Sequence, residues 1–358
     1  MTERHDRGRD PIPTWPDIPI PTVHINLPHA QPPCSKMSPS VAIHSVAPFR
    51  QHGRMRLRID LGYDGGGFYG WARQPELRTV QGEIEAAIRK VLRVRTDDPN
   101  APEIRLVVAG RTDTGVHALH QVCHIDIPED VIARAVGHMD VTPEIALERR
   151  LQRVLPDDIA IHRVRRAPDG FDARFSALER TYVYRVCDNG RFVDPRTRGF
   201  VVAIDETLDM DAMNRAAALT IGLHDFGSFA TPNPGGTTIR AVKYARWRRV
   251  DPGVMLHGGV VDGGYGEPVP YAESGLLCFT IVADAFARNM VRSLVNGCLQ
   301  VGRGRKSVDW FAQKMAEPKR EGSTGPAAAK GLTLEYVAYP PDDQLAERAQ
   351  AIRAVRTL

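Results

Sequence analysis

Residues 55–94 read MRLRIDLGYDGGGFYGWARQPELRTVQGEIEAAIRKVLRV, and this stretch decides the fold class. From Arg56 to Tyr63, apolar and polar side chains alternate as in a strand whose two faces differ, and Asp64-Gly65-Gly66-Gly67 then demands a turn. Thr79 has the chemistry of an N-cap. Behind it Val80, Ile84, Ala87, Ile88, Val91 and Leu92 recur at helical spacing, which predicts an amphipathic helix over residues 80–93. The next ordered stretch, residues 104–127, reads IRLVVAGRTDTGVHALHQVCHIDI. It predicts a strand at Ile104 to Ala109, a tight polar loop from Gly110 to Gly115, and a strand from Gln121 to Ile127.

Working outward, Thr142-Pro143-Glu144 opens a helix that runs to Val154 and carries Arg149, Arg150 and Arg153. Further strands are expected at Ile159 to Arg165, Thr181 to Cys187, Lys243 to Val250, Leu276 to Ala283 and Leu332 to Tyr339, with helices at Asp209 to Leu219, Ala287 to Val301 and Ser307 to Met315. Strands grouped with helices, without strict alternation, predict an α+β fold with helices on one face of a sheet. The glycine-rich stretch from Asp251 to Gly275 offers no periodic apolar face and reads as a surface loop. The segment before Arg54 is rich in proline (Pro11, Pro13, Pro16, Pro19, Pro21) and lacks the marks of a secretory signal. It is expected to be a disordered extension, and Met55, just before the first strand, is an alternative start.

Composition bounds the function. The 358 residues leave room for one large or two modest domains, and no apolar run approaches the ~20 residues of a membrane span, so the chain is expected to be soluble. Five widely spaced cysteines, never arranged as CxxC, point to reduced thiols in the cytoplasm and away from a disulfide scaffold or a zinc ribbon. Forty of the 47 basic residues are arginine, whose planar fork suits phosphate and stacks on bases; codon usage in a GC-rich genome would give the same bias.

The loop around Asp113 sets a carboxylate between glycines, where a turn can project it into a cleft as nucleophile or base; a carboxylate that caps its own turn is the plainer alternative. Asp113-Thr114-Gly115 matches the aspartic-protease triplet, but that chemistry needs two carboxylates and no second such triplet occurs. His117, His120 and His124 do not share one strand face, so no metal is expected. The Asp64-Gly65-Gly66-Gly67 loop lacks the lysine and helix start of a nucleotide loop.

Read in order, several segments resemble the TruA family of tRNA pseudouridine synthases. They are Tyr63-Asp64-Gly65-Gly66-Gly67-Phe68-Tyr69-Gly70-Trp71, Gly110-Arg111-Thr112-Asp113-Thr114-Gly115-Val116-His117-Ala118, Leu155-Pro156-Asp157-Asp158-Ile159, Phe171-Asp172-Ala173-Arg174-Phe175-Ser176-Ala177, Arg180-Thr181-Tyr182-Val183-Tyr184, His224-Asp225-Phe226, Phe286-Ala287-Arg288-Asn289-Met290-Val291-Arg292 and Gly331-Leu332-Thr333-Leu334. The resemblance covers about Met55 to Pro340. Gln152 and Asn296 depart from the family's usual asparagine and glycine, and the Asp251–Gly275 loop is longer; none of these touches the signature loop.

The resemblance implies a cofactor-free isomerase that converts uridine to pseudouridine at positions 38, 39 and 40 of the tRNA anticodon stem and loop. It makes Asp113 the nucleophile, Arg292 its partner, and Tyr182 the platform under the flipped uracil and a candidate proton acceptor. Arg111, Phe171, Arg174, Phe175 and Arg240 would contact substrate; Arg149, Arg153, Arg174 and Arg240, which stand in or near the matched motifs, are the candidates for a phosphate track. It also implies two similar ferredoxin-like halves that form one continuous antiparallel sheet with the cleft between them, and a homodimer in which one tRNA contacts both subunits. The expected boundaries are an extension at 1–54, a first half at 55–160, a second half at 161–341 and a tail at 342–358. Two rivals stay open: a catalytically silent RNA-binding protein, and a glycoside hydrolase in which Asp64 or Asp225 pairs with Asp113.

Overall fold

The computed structural model describes residues 53–188, 193–232, 236–250, 272–319 and 325–352. The proline-rich extension up to residue 52, Cys34 within it, and the expected surface loop from Asp251 through residue 271 lie outside the described residues.

The first strand begins two residues before Arg56: β1 is Arg54–Tyr63, and its alternate residues Leu57, Ile59 and Leu61 are fully buried. Asp64 caps the glycine turn by accepting from the Gly66 amide. The helix follows as read: α1 is Val80–Leu92, Thr79 Oγ1 accepts from the Gly82 amide at 3.3 Å, and Val80, Ile84, Ile88 and Leu92 form its buried face. The strand expected at 104–109 shrinks to β2, Val107–Val108. The cause is α1, whose side chains take the backbone groups that a neighbouring strand would have used. Glu85 accepts from the Leu106 amide at 3.0 Å and Arg89 donates to the Ile104 carbonyl at 2.9 Å.

β3 is His117–Pro128, longer than read because it starts directly after the loop, and a short helix α2, Glu129–Ala133, follows. Next come α3, Pro143–Val154, and β4, Ile159–Arg166. The expected boundary at 160/161 falls inside β4, which pairs with β1 as far as Leu57 opposite Arg166. The second set comprises β5, Glu179–Cys187; β6, Val202–Ala203; α4, Met210–Ala218; β7, Gly222–Asp225; and β8, Ile239–Arg249. It continues through β9, Leu277–Ala283; α5, Met290–Gly302; α6, Val308–Ala316; and β10, Leu332–Ala338. Within the expected tail lies a helix, α7, Leu345–Ala351, tied down by burial of Leu345 and Ala349.

All ten strands join in one sheet of order β4-β1-β3-β10-β5-β9-β8-β7, with β2 beside β3 and β6 beside β5. The sheet is not antiparallel throughout: β3 meets β10, and β5 meets β6, in parallel over two residue pairs each. Antiparallel pairing with β5 sets the direction of β10, so where its first residues reach the start of β3 the two run the same way. Tyr182 and Tyr184 on β5, Ala245 and Trp247 on β8, and Phe279 and Ile281 on β9 are buried; Tyr244 and Tyr336 are partly exposed on the other face. Among the described residues no helix is long and apolar enough to cross a membrane, and Cys123, Cys187, Cys278 and Cys298 are free thiols.

On the face of β1 opposite Leu57 and Ile59, the Arg58 guanidinium lies 5.3 Å from the Phe171 ring centre and 4.7 Å from that of Tyr339. His124 stands opposite Arg58 on β3, and its Nδ1 accepts from the Ala173 amide at 3.0 Å. Burial, aided by the nearby Arg56 charge, lowers its pKa from 6.5 to about 4. The unfolded chain therefore binds this proton below pH 6.5 while the folded chain refuses it until about pH 4. Stability from this site is complete above 6.5 and is lost as pH falls through that window, by up to about 3 kcal/mol. In urea titrations, His124→Asn, whose amide oxygen can still accept from Ala173, is expected to flatten the fall in stability between pH 6.5 and 4; an unchanged slope would remove His124 as its source.

Candidate active site

The loop Gly110–Gly115 is held by hydrogen bonds at Gly110, Thr112 and Gly115. Gln121, fully buried, donates from Nε2 to the Gly110 carbonyl at 2.8 Å, and the Tyr63 and Thr112 hydroxyls meet at 2.8 Å. Trp71 donates to the Thr112 carbonyl at 3.1 Å and Gly115 to the Phe68 carbonyl at 3.2 Å. These bonds explain why two separate motifs are needed: the Tyr63–Trp71 segment is the floor on which the loop rests. Gly70 has φ +86°, and a Cβ there would stand 2.8 Å from the Thr112 carbonyl oxygen, so the floor can come this close only without a side chain. The Asp113 side chain, held on this loop, remains one-third exposed.

Arg292, in the first turn of α5, faces Asp113 across the cleft, with Nη1 3.9 Å from Oδ2. Its own placement is fixed by a reciprocal pair: Nε donates to the Ala327 carbonyl at 2.7 Å, and the Ala327 amide donates to the Arg292 carbonyl at 3.0 Å. Burial pulls the Arg292 pKa below its ordinary value, and Asp113 opposes that shift. Tyr182 is buried, and the Phe286 ring meets it edge-on at 5.2 Å. Burial is the main cause that raises its pKa, with the neighbouring Tyr63 next, so it stands as a neutral phenol.

Asp113, Arg292 and Tyr182 are thus brought together from a loop, a helix and a strand far apart in sequence. Arg111 is exposed beside Asp113. Arg174 is exposed with its guanidinium 5.1 Å over the half-buried Phe175 ring, and Arg149 and Arg153 are exposed on α3. Arg240 lies two strands away from Tyr182, on β8, and donates to the Ile239 carbonyl at 2.6 Å. Phe171 has to be corrected: it is fully buried against Tyr339 and His124 and offers no surface to a substrate. The chain passes over the Phe171 motif through Arg174 and Phe175 instead.

The rival constellations come apart. His117 Nδ1 accepts from the Gly65 amide at 3.0 Å, His120 Nε2 bonds Asp60 at 3.1 Å, and among the described residues no three potential metal ligands gather. Asp64 and Asp225 are turn caps, accepting from the amides of Gly66 and Gly227. One residue that reading the sequence left without a role, although it opens the Arg180–Tyr184 motif, is Arg180, which is buried on the same strand as Tyr182.

A loop carboxylate thus faces a helix guanidinium, with a buried tyrosine on a mixed sheet. The family model described as tRNA pseudouridine synthase matches residues 216–340. Over 303 residues the chain is 68% identical to the tRNA pseudouridine synthase A of Bifidobacterium longum (strain DJO10A), covering 85% of this chain and 99% of that one. Over 306 residues it is 46% identical to the protein of the same name from Streptomyces griseus subsp. griseus, covering 86% and 95%. The chain belongs to the tRNA pseudouridine synthase A family and is an isomerase. Among solved structures, a chain of a Cbf5-Nop10-Gar1 complex is 10% identical over 79% of this chain and 60% of that one, with a TM-score of 0.27, too low to carry an argument.

Proposed function

We propose that the protein converts uridine to pseudouridine at positions 38, 39 and 40 of the tRNA anticodon arm, with Asp113 as nucleophile. The observation that carries this reading is the pairing of Asp113 with Arg292 at 3.9 Å, on a loop held by hydrogen bonds that leave the carboxylate one-third exposed. A uridine turned out of its stack would enter the cleft, since chemistry on a base needs it extruded. Asp113 attacks either C6 of the uracil or C1′ of the ribose. The N1–C1′ bond breaks, the uracil turns, C5 bonds to C1′, and the bond to Asp113 breaks to return the carboxylate; C5 loses a proton and the freed ring nitrogen gains one, so nothing is consumed.

Arg292 holds the carboxylate in place by the attraction of its charge, 3.9 Å away. Tyr182 lies under the uracil as a stacking platform. Its raised pKa favours that role over the alternative of proton acceptor, because a buried neutral phenol is a poor base. Strand order supports two ferredoxin-like halves: β4-β1-β3 with β2 beside β3 in one, and β10-β5-β9-β8 in the other, each threaded strand-helix-strand-strand-helix-strand. A homodimer sharing one tRNA, in a cytoplasm that keeps the four described thiols reduced, is the assembly and setting this reading implies.

Selecting three neighbouring positions calls for recognition of backbone and shape more than base sequence. Arg111, Arg149, Arg153 and Arg174 would follow the phosphates. Arg174→Ala is expected to weaken tRNA binding and to reduce the slope of log K against log salt by roughly 0.7–0.9; an unchanged slope would take Arg174 off the track. The reading as a whole is tested by incubating unmodified tRNA with the protein and mapping pseudouridine by base-specific chemical modification and primer extension. Stops at positions 38, 39 and 40 are expected; stops elsewhere alone would overturn the site, and none at all the activity on tRNA.

A further inference from the structure

We propose that Arg180 is a positioning residue for this isomerisation, a clamp between the two sets of strands that holds the catalytic loop against the tyrosine platform. The inference rests on the proposed reaction. Arg180 lies two residues before Tyr182 on β5, so both side chains leave the same face of the sheet. It is only 7% exposed, and its guanidinium donates to three backbone carbonyls: Asp284 at 2.6 Å, Ala109 at 2.6 Å and Arg174 at 2.9 Å.

Each acceptor heads a segment that carries part of the site. Ala109 immediately precedes the Gly110–Gly115 loop. Asp284 stands two residues before Phe286, whose ring edge meets Tyr182 at 5.2 Å. Arg174 is itself an exposed candidate for RNA contact, stacked over Phe175. Two of these acceptors are held rigidly in turn: Ala109 donates to the Val122 carbonyl at 2.8 Å, and Asp284 Oδ1 accepts from the Ala285 amide at 2.6 Å. Arg180 therefore joins β5 of the second set to the loop of the first, and the distance from Asp113 to the Tyr182 platform runs through it.

The energetics favour a role beyond filling space. Among the described residues no carboxylate lies within ion-pair distance of Arg180; the Asp284 charge acts on it from farther away, and its close partners are three carbonyl dipoles. A buried charge without a close counter-charge costs several kcal/mol, and an apolar side chain of similar volume would be the more stable filling. What an apolar residue cannot supply is three donors fixed in one plane, and a lysine ammonium cannot supply them either. The geometry that is hard to replace is the one that aligns three segments.

The test compares the wild type, Arg180→Lys and Arg180→Ala as full chains. Single-turnover release of tritium from C5-labelled tRNA, tRNA affinity and melting temperature are measured on each. Arg180→Lys is expected to remain folded, to bind tRNA within about two-fold of wild type, and to turn over about 10²-fold more slowly, the scale set by a misplacement of about 1 Å. Ethylguanidinium, but not ethylammonium, is expected to restore part of the rate of Arg180→Ala; should that variant not fold, the lysine variant decides alone. A wild-type rate in folded Arg180→Lys would overturn the clamp, as would weaker tRNA binding at an unchanged rate, which would mark a phosphate contact. Wild type that releases no tritium removes the reaction and the clamp together, whereas an active wild type with an unaffected lysine variant removes only the clamp.

Discussion

Asp113→Asn is expected to abolish release of tritium from tRNA labelled at uridine C5, a loss of at least about 10⁴-fold, or about 5.5 kcal/mol of transition-state stabilisation. The substitution keeps shape and removes the proposed nucleophile, since an amide oxygen does not form the covalent bond a carboxylate can. It should leave the fold intact: the bond by which residue 113 holds its loop is made by its backbone carbonyl, which accepts from the Val116 amide at 3.1 Å. Melting temperature and tRNA affinity are therefore expected to stay close to wild type while turnover vanishes. Release that survived would keep the activity and remove Asp113 from its centre. Collapse of affinity together with rate would instead assign Asp113 to binding.

Arg292→Met carries the second largest effect, a fall in single-turnover rate of about 10²-fold, or about 2.7 kcal/mol, with tRNA affinity changed far less. Methionine preserves the length and apolar body of the side chain in α5 but withdraws the charge from Asp113 and the Nε donor from the Ala327 carbonyl. A charge pair at 4 Å is worth a few kcal/mol where solvent is partly excluded, and the part exposure of Asp113 trims that figure. Arg292→Lys separates the two contributions, because one ammonium cannot serve Ala327 and Asp113 from opposite ends of a fork. A lysine rate near wild type would show that charge alone matters; a rate near that of methionine would show that the fork does. An unchanged rate in Arg292→Met would remove the residue from the chemistry.

Most of the elements could be read from local periodicity. Val80, Ile84, Ile88 and Leu92 mark α1 because a helix face repeats within one segment, and Leu57, Ile59 and Leu61 mark β1 because strand faces alternate. The strand at 104–109 could not be sized this way. Its backbone partners are the side chains of Glu85 and Arg89 on α1, a competition that no local pattern records. The helix α7 was hidden for a similar reason, since Leu345 and Ala349 are too few to form a visible stripe and are held by tertiary burial.

The candidate site divides along the same line. The loop carrying Asp113, and the residues Tyr182 and Arg292, stand out in the sequence because ordered motifs name them. The packing of the two motif aromatics does not: Phe171 is sealed against Tyr339 and His124, whereas Tyr182 meets the edge of Phe286. Arg180 shows the converse, a motif residue to which the sequence attached no role and which ties three segments together. By itself the sequence determined the α+β class, most element positions and the family, and it singled out the loop that carries Asp113, because periodicity and motif are properties of neighbouring residues. Only the tertiary structure decided that β3 and β10 meet in parallel, that Arg292 reaches to within 3.9 Å of Asp113, and that a buried guanidinium spans the two sets of strands. Those contacts join residues scores of positions apart, and packing alone selects them.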